Sequence, residues 1–167
     1  MKNIVILAGS NGNNLSLAKK FEEEINKQDA SPVIIDIIDL NLPVYSANEE
    51  GNGVPQSIPT CVETLNRADA MVVLSPEYNG GVTPALINFI SWISRSGNEN
   101  WRECFNEKSV IIGTHSGGGG NHVLIALRNQ LAFIGMNVLG RQILTSYQKE
   151  LNSESLESAV KQMLSHP

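Results

Sequence analysis

The feature that most constrains this chain is a set of unbroken aliphatic runs, each followed by a short polar loop and then an amphipathic helical stripe. Residues 3–8 (NIVILA), 70–75 (AMVVLS) and 109–114 (SVIIGT) carry apolar side chains on consecutive rather than alternate positions. A strand of that kind must be covered on both faces, which is the condition of a parallel sheet between two helical layers. Two further segments complete the set: PVIIDIIDL (32–40) as a second strand and 142–146 as a fifth.

The intervening segments supply the helices. Leu17, Ala18, Phe21 and Ile25 recur at helical spacing, with Lys19, Lys20 and the acidic run Glu22, Glu23, Glu24 on the solvent side. Residues 59–67 form a helix with Cys61, Val62 and Leu65 inward, opened either by a Thr60–Glu63 capping box or by Ser57. Thr83 and Pro84 read as N-cap and first helical residue, ahead of an apolar stripe at Leu86, Phe89, Ile90 and Ile93. Trp92 falls at helical spacing there, as core or subunit interface. Residues 121–135 place Leu124, Leu127, Leu131 and Ile134 inward and stop at Gly135 in a left-handed turn. Ser153 begins a last helix, with Glu154 and Glu157 near its positive end. The order βαβαβαβαβα predicts an α/β fold with helices on both faces of a parallel sheet, as one domain over 1–167. Residues 41–57, rich in Asn, Gly and Pro, read as a long mobile loop.

Composition removes several function classes. The chain has 167 residues, 41% of them hydrophobic, enough for one real core. Its net charge of -5 and lack of a basic stripe argue against nucleic acid as a partner. Cys61 and Cys104 form no C-x-x-C motif, so they read as reduced thiols rather than zinc ligands or a disulfide. Asp36 and Asp39 lack the acidic pair after the first strand that a metal-binding receiver domain needs. No metal site is expected. No apolar run approaches the roughly 20 residues of a membrane span, and no signal peptide is apparent, so the expected location is the cytoplasm.

Ligands of open parallel sheets bind beyond the carboxyl ends of the strands. Unusual residues cluster at three such ends. Residues 9–15 lead straight into a helix, whose free N–H groups and partial positive charge suit a phosphate, and Ser10, Asn11, Asn13 and Asn14 add side-chain donors. The segment has neither a Gly-Lys-Ser/Thr nor a G-x-G-x-x-G pattern, and taken alone it reads equally as a polar N-cap loop. Residues 76–81 (PEYNGG) offer Tyr78 for ring contact and glycines for close backbone approach. A bare strand-to-helix turn would use Pro, Asn and Gly but has no need of Glu77 and Tyr78. Residues 114–120 (THSGGGG) expose backbone N–H groups, at the entropic cost of four successive glycines. His115 and His122 have no carboxylate partner nearby in the sequence and read as hydrogen-bonding surface residues; no catalytic side chain is assigned.

The segment SPEYNGGVTPALINFISWISR (75–95) closely resembles the signature of the NADPH-dependent FMN reductase family. SGGGG (116–120), with Leu127, Arg128, Leu131, Gly135 and Met136 after it, resembles that family's third flavin loop, and Asp39, Leu40, Pro43 and Tyr45 resemble its loop after the second strand. The resemblance covers nearly the whole chain. It implies a flavodoxin-like three-layer sandwich with strand order 2-1-3-4-5, one FMN per chain and a homodimer or homotetramer. Loop one would hold the phosphate through Ser10, Asn11, Asn13, Asn14, Leu15 and Ser16. Pro76, Glu77, Tyr78, Asn79 and Gly80 would line the isoalloxazine, and His115, Ser116, Gly117 and Gly118 its pyrimidine edge. Family members often carry an Arg two positions after the loop-one Ser and a further Ser beyond it; here those positions are Gly12 and Leu15.

The implied activity is hydride transfer from NADPH or NADH to bound FMN and on to a small acceptor such as a quinone, an azo compound or a flavin. Two other readings stay open: a flavodoxin-type electron shuttle with no NAD(P)H turnover, and a flavin-free regulatory or scaffolding relative. The Thr/Ser-rich phosphate loop of flavodoxins is absent.

Overall fold

The computed structural model describes residues 1–96 and 100–166. Five parallel strands, β1 (Lys2–Ala8), β2 (Ala30–Asp36), β3 (Ala70–Leu74), β4 (Ser109–His115) and β5 (Asn137–Thr145), lie in the order β2-β1-β3-β4-β5. Six helices accompany them: α1 (Asn13–Ile25), α2 (Ala47–Gly51), α3 (Ile58–Asn66), α4 (Pro84–Ser94), α5 (Asn121–Phe133) and α6 (Ser153–Ser165). This is the flavodoxin-like arrangement.

The unbroken apolar runs feed two cores. On one face Met71 and Val73 of β3 meet Cys61 and Leu65 of α3, Phe89 and Trp92 of α4, and Leu127 and Leu131 of α5. On the other face Ala70, Val72 and Leu74 meet Leu17 and Phe21 of α1 and Leu156, Val160 and Met163 of α6. The period-2 geometry of a strand splits one run between two layers, so every residue of β3 is buried. The chain leaves β1 in one direction for β2 and in the other for β3, so the topological switch point lies between β1 and β3.

Several sequence expectations need correction. β2 ends at Asp36, four residues before 40, because the Asp36 carboxylate accepts the Ile38 N–H (3.0 Å) and turns the chain. β5 begins at Asn137, five residues before 142; as an edge strand it carries Asn, Gly, Arg and Gln, which hides its strand character. Residues 41–57 are not a long structureless loop. Ser46 Oγ accepts the Glu49 N–H (3.1 Å) and caps the short α2. Upstream, Asn88 of α4 accepts the Tyr45 N–H (2.7 Å) and donates to the Pro43 carbonyl (3.0 Å), to which Trp92 Nε1 also donates (2.8 Å). Tyr45 meets Trp92 edge-on at 5.2 Å, so Trp92 is a core residue that straps this segment to α4. Glu24 is buried rather than solvated and pairs with Lys27 at 2.7 Å.

One lysine takes an unusual position. Lys108 Nζ donates to the Leu65 (2.5 Å), Asn66 (3.1 Å) and Ala68 (2.8 Å) carbonyls, which closes the C-terminal end of α3. Burial pushes its pKa down from the ordinary 10.5, against the pull of Cys104, Asp69 and Glu103. Cys61 and Cys104 are free, buried thiols, and burial raises Cys104 to about 11. Among the described residues no His/Cys/Asp/Glu cluster is suited to a metal, and no helix is long and apolar enough to cross a membrane.

Candidate functional site

The three polar turns do meet. A cleft of about 280 Å³ at the carboxyl ends of β1, β3 and β4 takes lining residues from all of them: Ser10 to Asn14, Pro76 to Tyr78, and His115 to Gly117.

Loop one approaches loop two so closely that only glycine fits at position 9. The Gly9 N–H donates to the Leu74 carbonyl at 2.8 Å, and a Cβ on Gly9 would stand 2.8 Å from that same oxygen and 3.1 Å from Thr83 Oγ1. Thr83 is the N-cap residue of α4, as its sequence position predicts, but its hydroxyl does not cap that helix; it donates to the Gly9 carbonyl (3.0 Å). The Thr83 N–H donates to Ser75 Oγ (3.1 Å), which donates to the Pro76 carbonyl (2.9 Å). These bonds fix the start of loop one against both ends of loop two.

Asn14 joins loop one to loop three. It is 1% exposed, and its side-chain amide both accepts the His115 N–H (2.8 Å) and donates to the His115 carbonyl (3.0 Å). The amide oxygen and one amide N–H serve the backbone of β4, so Asn14 clamps loop one to loop three. The start of α1 remains available. Gly12 is its N-cap, no side chain caps it, no acidic residue stands in its first turn, and its first backbone acceptor bond is from the Ser16 N–H to the Gly12 carbonyl (3.1 Å). The N–H groups of the first helical turn therefore face outward from a helix's positive end.

Loop two is a tight turn. Tyr78 and Gly81 exchange N–H···O bonds of 3.0 and 2.9 Å, with Asn79 (φ 52°) and Gly80 (φ 75°) between them in the left-handed region. That is the chemistry of a two-residue Asn-Gly turn. Asn79 and Gly80 shape the turn and do not line the cleft, whereas Tyr78 does and stays 53% exposed. Glu77 lines the cleft and also reaches across it: its carboxylate accepts the Val123 N–H (3.1 Å) and caps α5, whose N-cap residue is Gly120 at φ 69°. A carboxylate at that position satisfies an orphan N–H and the helix dipole together.

In loop three the Ser116 N–H donates to the Thr145 carbonyl (3.1 Å) and Ser116 Oγ accepts the Gly118 N–H (3.3 Å). His115 Nδ1 lies 3.1 Å from Thr145 Oγ1, which itself donates to the Thr114 carbonyl (3.2 Å). Nε2 is buried with no hydrogen-bond partner among the described residues. His122 is exposed.

Of the fifteen residues singled out in the sequence, Ser10, Asn11, Asn13, Asn14, Pro76, Glu77, Tyr78, His115, Ser116 and Gly117 line the cleft. Leu15 instead packs against the α1–α6 core, and Ser16 faces a neighbouring cavity with Lys20 and Lys149. Asn79, Gly80 and Gly118 belong to the same loops without lining the cleft. Two lining residues were missed. Gly12 carries no side chain to notice, and Tyr147 follows β5, whose carboxyl end the sequence marks with no glycine-rich loop.

The residues fit a flat phosphorylated ring system: a helix start with free N–H groups, a glycine-lined wall and an exposed tyrosine ring share one cleft. Sheet order and cleft position together define the flavodoxin-like class of α/β proteins. The model of the family described as NADPH-dependent FMN reductase matches residues 2–150, and the chain belongs to that family, whose cofactor is FMN.

An uncharacterized protein of Mycoplasma pneumoniae, described as an MG342 homolog, is 28% identical over 148 residues, 86% of each chain. The quinone reductase of Escherichia coli K12 is 33% identical over 115 residues, 67% of this chain; the match spans just over half, 56%, of that enzyme's length. Among solved structures, the NAD(P)H:(acceptor) oxidoreductase FerB of Paracoccus denitrificans superposes with a TM-score of 0.77 at 18% identity, covering 98% of this chain and 96% of that one. An archaeal flavodoxin superposes with a TM-score of 0.62 at 17% identity over 98% and 93% of the two chains.

Proposed function

We propose that this protein is an NAD(P)H-dependent FMN oxidoreductase that reduces a small diffusible acceptor of the quinone class. The net reaction is NAD(P)H + H⁺ + quinone → NAD(P)⁺ + hydroquinone. The observation that carries this reading is the convergence of three loops on one cleft at the switch point, in a chain of the FMN reductase family. Bound FMN supplies the redox chemistry, accepting hydride equivalents and handing them on.

The chain's own residues bind, orient and shield. The first turn of α1, with Ser10, Asn11 and Asn13 around it, offers N–H and side-chain donors to the phosphate. No lysine or arginine lines this cleft, so its own donors to the phosphate are the helix start and hydrogen-bonding side chains; Lys20 and Lys149 stand in the adjoining cavity, which shares Asn13 and His115 with it. Pro76, Glu77 and Tyr78 wall one edge of the ring site, and His115, Ser116 and Gly117 the other. Backbone N–H groups at the loop-three edge stabilise negative charge that develops on a reduced ring. No side chain is asked to act as nucleophile or base.

Anaerobic addition of NADPH or NADH to the FMN-loaded protein tests this. Loss of the yellow flavin band within minutes, and its return on adding a quinone, supports a reductase. A band that neither nucleotide bleaches indicates an electron shuttle instead.

Self-association belongs to the same reading. Ile125 and Phe133 of α5 are exposed, Phe133 to 70%, and Trp101 stands 6.5 Å from Phe133. The Arg102 guanidinium lies 4.5 Å from the Trp101 ring and 5.5 Å from that of Phe133. An apolar patch rimmed by a cation suits a homodimer or homotetramer contact. Light scattering should report an oligomer, and Phe133→Asp should reduce it to monomer. The reading also places the protein in the cytoplasm, with its pyridine-nucleotide donor.

A further inference from the structure

We propose that the turn after β5 is a fourth cofactor loop, and that its Tyr147 hydroxyl donates a hydrogen bond to the phosphate of the bound flavin nucleotide. The proposal rests on the functional reading above but assigns a residue outside the three loops that define it.

The turn is built to present one side chain. The Ser146 N–H donates to the Lys149 carbonyl (2.9 Å) and the Lys149 N–H to the Ser146 carbonyl (3.2 Å). Ser146 Oγ accepts the Gln148 (3.2 Å) and Lys149 (3.1 Å) N–H groups as well. Four bonds thus fix a turn with Tyr147 and Gln148 at its tip. Tyr147 is 78% exposed, yet it touches two of the other loops. Asn13 Nδ2 donates to its hydroxyl oxygen (3.3 Å), its ring stands edge-on to His115 (5.2 Å, 82°), and a Cβ on Gly117 would come within 3.5 Å of its Cε2.

Three features of that placement point at a ligand. Tyr147 lines the same cleft as Tyr78, so two exposed aromatic rings share one small space. Its hydroxyl sits beside Asn13, the first residue of α1, at an uncapped helix start whose free N–H groups suit a phosphate. That hydroxyl accepts from Asn13, and its own proton has no acceptor among the described residues. A phenol oriented by an incoming hydrogen bond, with its proton unspent, is a preorganised donor to an anionic oxygen.

The test is a titration of apo-protein with FMN and with riboflavin, which lacks the phosphate, read by flavin fluorescence. Tyr147 is exposed, so the apo variants should melt with the wild type. Tyr147→Phe should weaken FMN about tenfold and leave riboflavin unchanged, as loss of one hydrogen bond to a charged group predicts. Tyr147→Ala should weaken both ligands, because the ring contact goes too. If Tyr147→Phe binds FMN within about twofold of wild type, whatever Tyr147→Ala does, or if it weakens riboflavin as much as FMN, the assignment is wrong. A wild-type protein that binds no FMN overturns the functional reading itself, which separates the two failures.

Discussion

Replacing Asn14 probes the clamp that holds the cleft together. Asn14→Ala removes both hydrogen bonds to the His115 backbone, the 2.8 Å bond from its N–H and the 3.0 Å bond to its carbonyl. Asn14 is 1% exposed, so water does not readily replace either partner. Each orphaned buried group costs about 1–3 kcal/mol, which places the total at about 2–4 kcal/mol if partial relaxation is allowed. In a domain of this size 1 kcal/mol shifts the melting temperature by about 2–4 °C, so the apo-protein should lose about 5–15 °C. Asn14→Asp should be no better. Its carboxylate can still accept the His115 N–H, but it sets an anionic oxygen against the His115 carbonyl and buries a charge. Loops one and three would also lose register, so FMN affinity should fall in both variants. Differential scanning calorimetry and flavin titration measure the two effects. An Asn14→Ala protein that melts within about 2 °C of wild type and binds FMN equally well would refute the clamp.

Other substitutions read out neighbouring parts of the same argument. Gly9→Ala drives a methyl to 2.8 Å from the Leu74 carbonyl and should cost about 1–3 kcal/mol in chemical denaturation, with FMN retention falling alongside. Glu77→Ala removes the cap on α5 and should cost about 1 kcal/mol by the same measurement. Lys108 has a folded pKa below its ordinary 10.5, so the unfolded chain holds that proton more tightly. Its contribution to stability therefore rises as pH climbs through the lowered folded value toward 10.5, and a comparison of wild type with Lys108→Met across that window should show the gap shifting in favour of wild type. Cys104, raised to about 11 and buried, should resist thiol reagents in the native protein and react on unfolding.

The sheet and its helices were legible because burial on both faces leaves little freedom in the choice of residues. The runs at β1, β3 and β4 and the stripes Leu17, Phe21, Ile25 and Leu124, Leu127, Leu131 all pack as their spacing predicts. The edges were less legible. β2 and β5 each have one neighbour, so polar residues are tolerated there and the strand ends blur. The strap at 43–51 was hidden because its order comes from Asn88 and Trp92, some forty residues away.

The same distinction holds in the cleft. Short-range chemistry marked loops one to three, since glycine, asparagine and a spare tyrosine stand out against ordinary turns. What each residue does depends on partners far along the chain. Asn14 meets His115 and Glu77 meets Val123, so neither role can be read from its own loop. Tyr147 was missed for the same reason: its contacts to Asn13 and His115 span more than thirty residues.

Backbone amide chemical shifts, followed while FMN is titrated into the apo-protein, test the central claim most directly. The largest changes should fall on Asn11 to Leu15, on Glu77 and Tyr78, and on Ser116 and Gly117, with Tyr147 among them. Changes centred elsewhere, such as the cavity between Leu40 and Ser57, with those three loops silent, would contradict it.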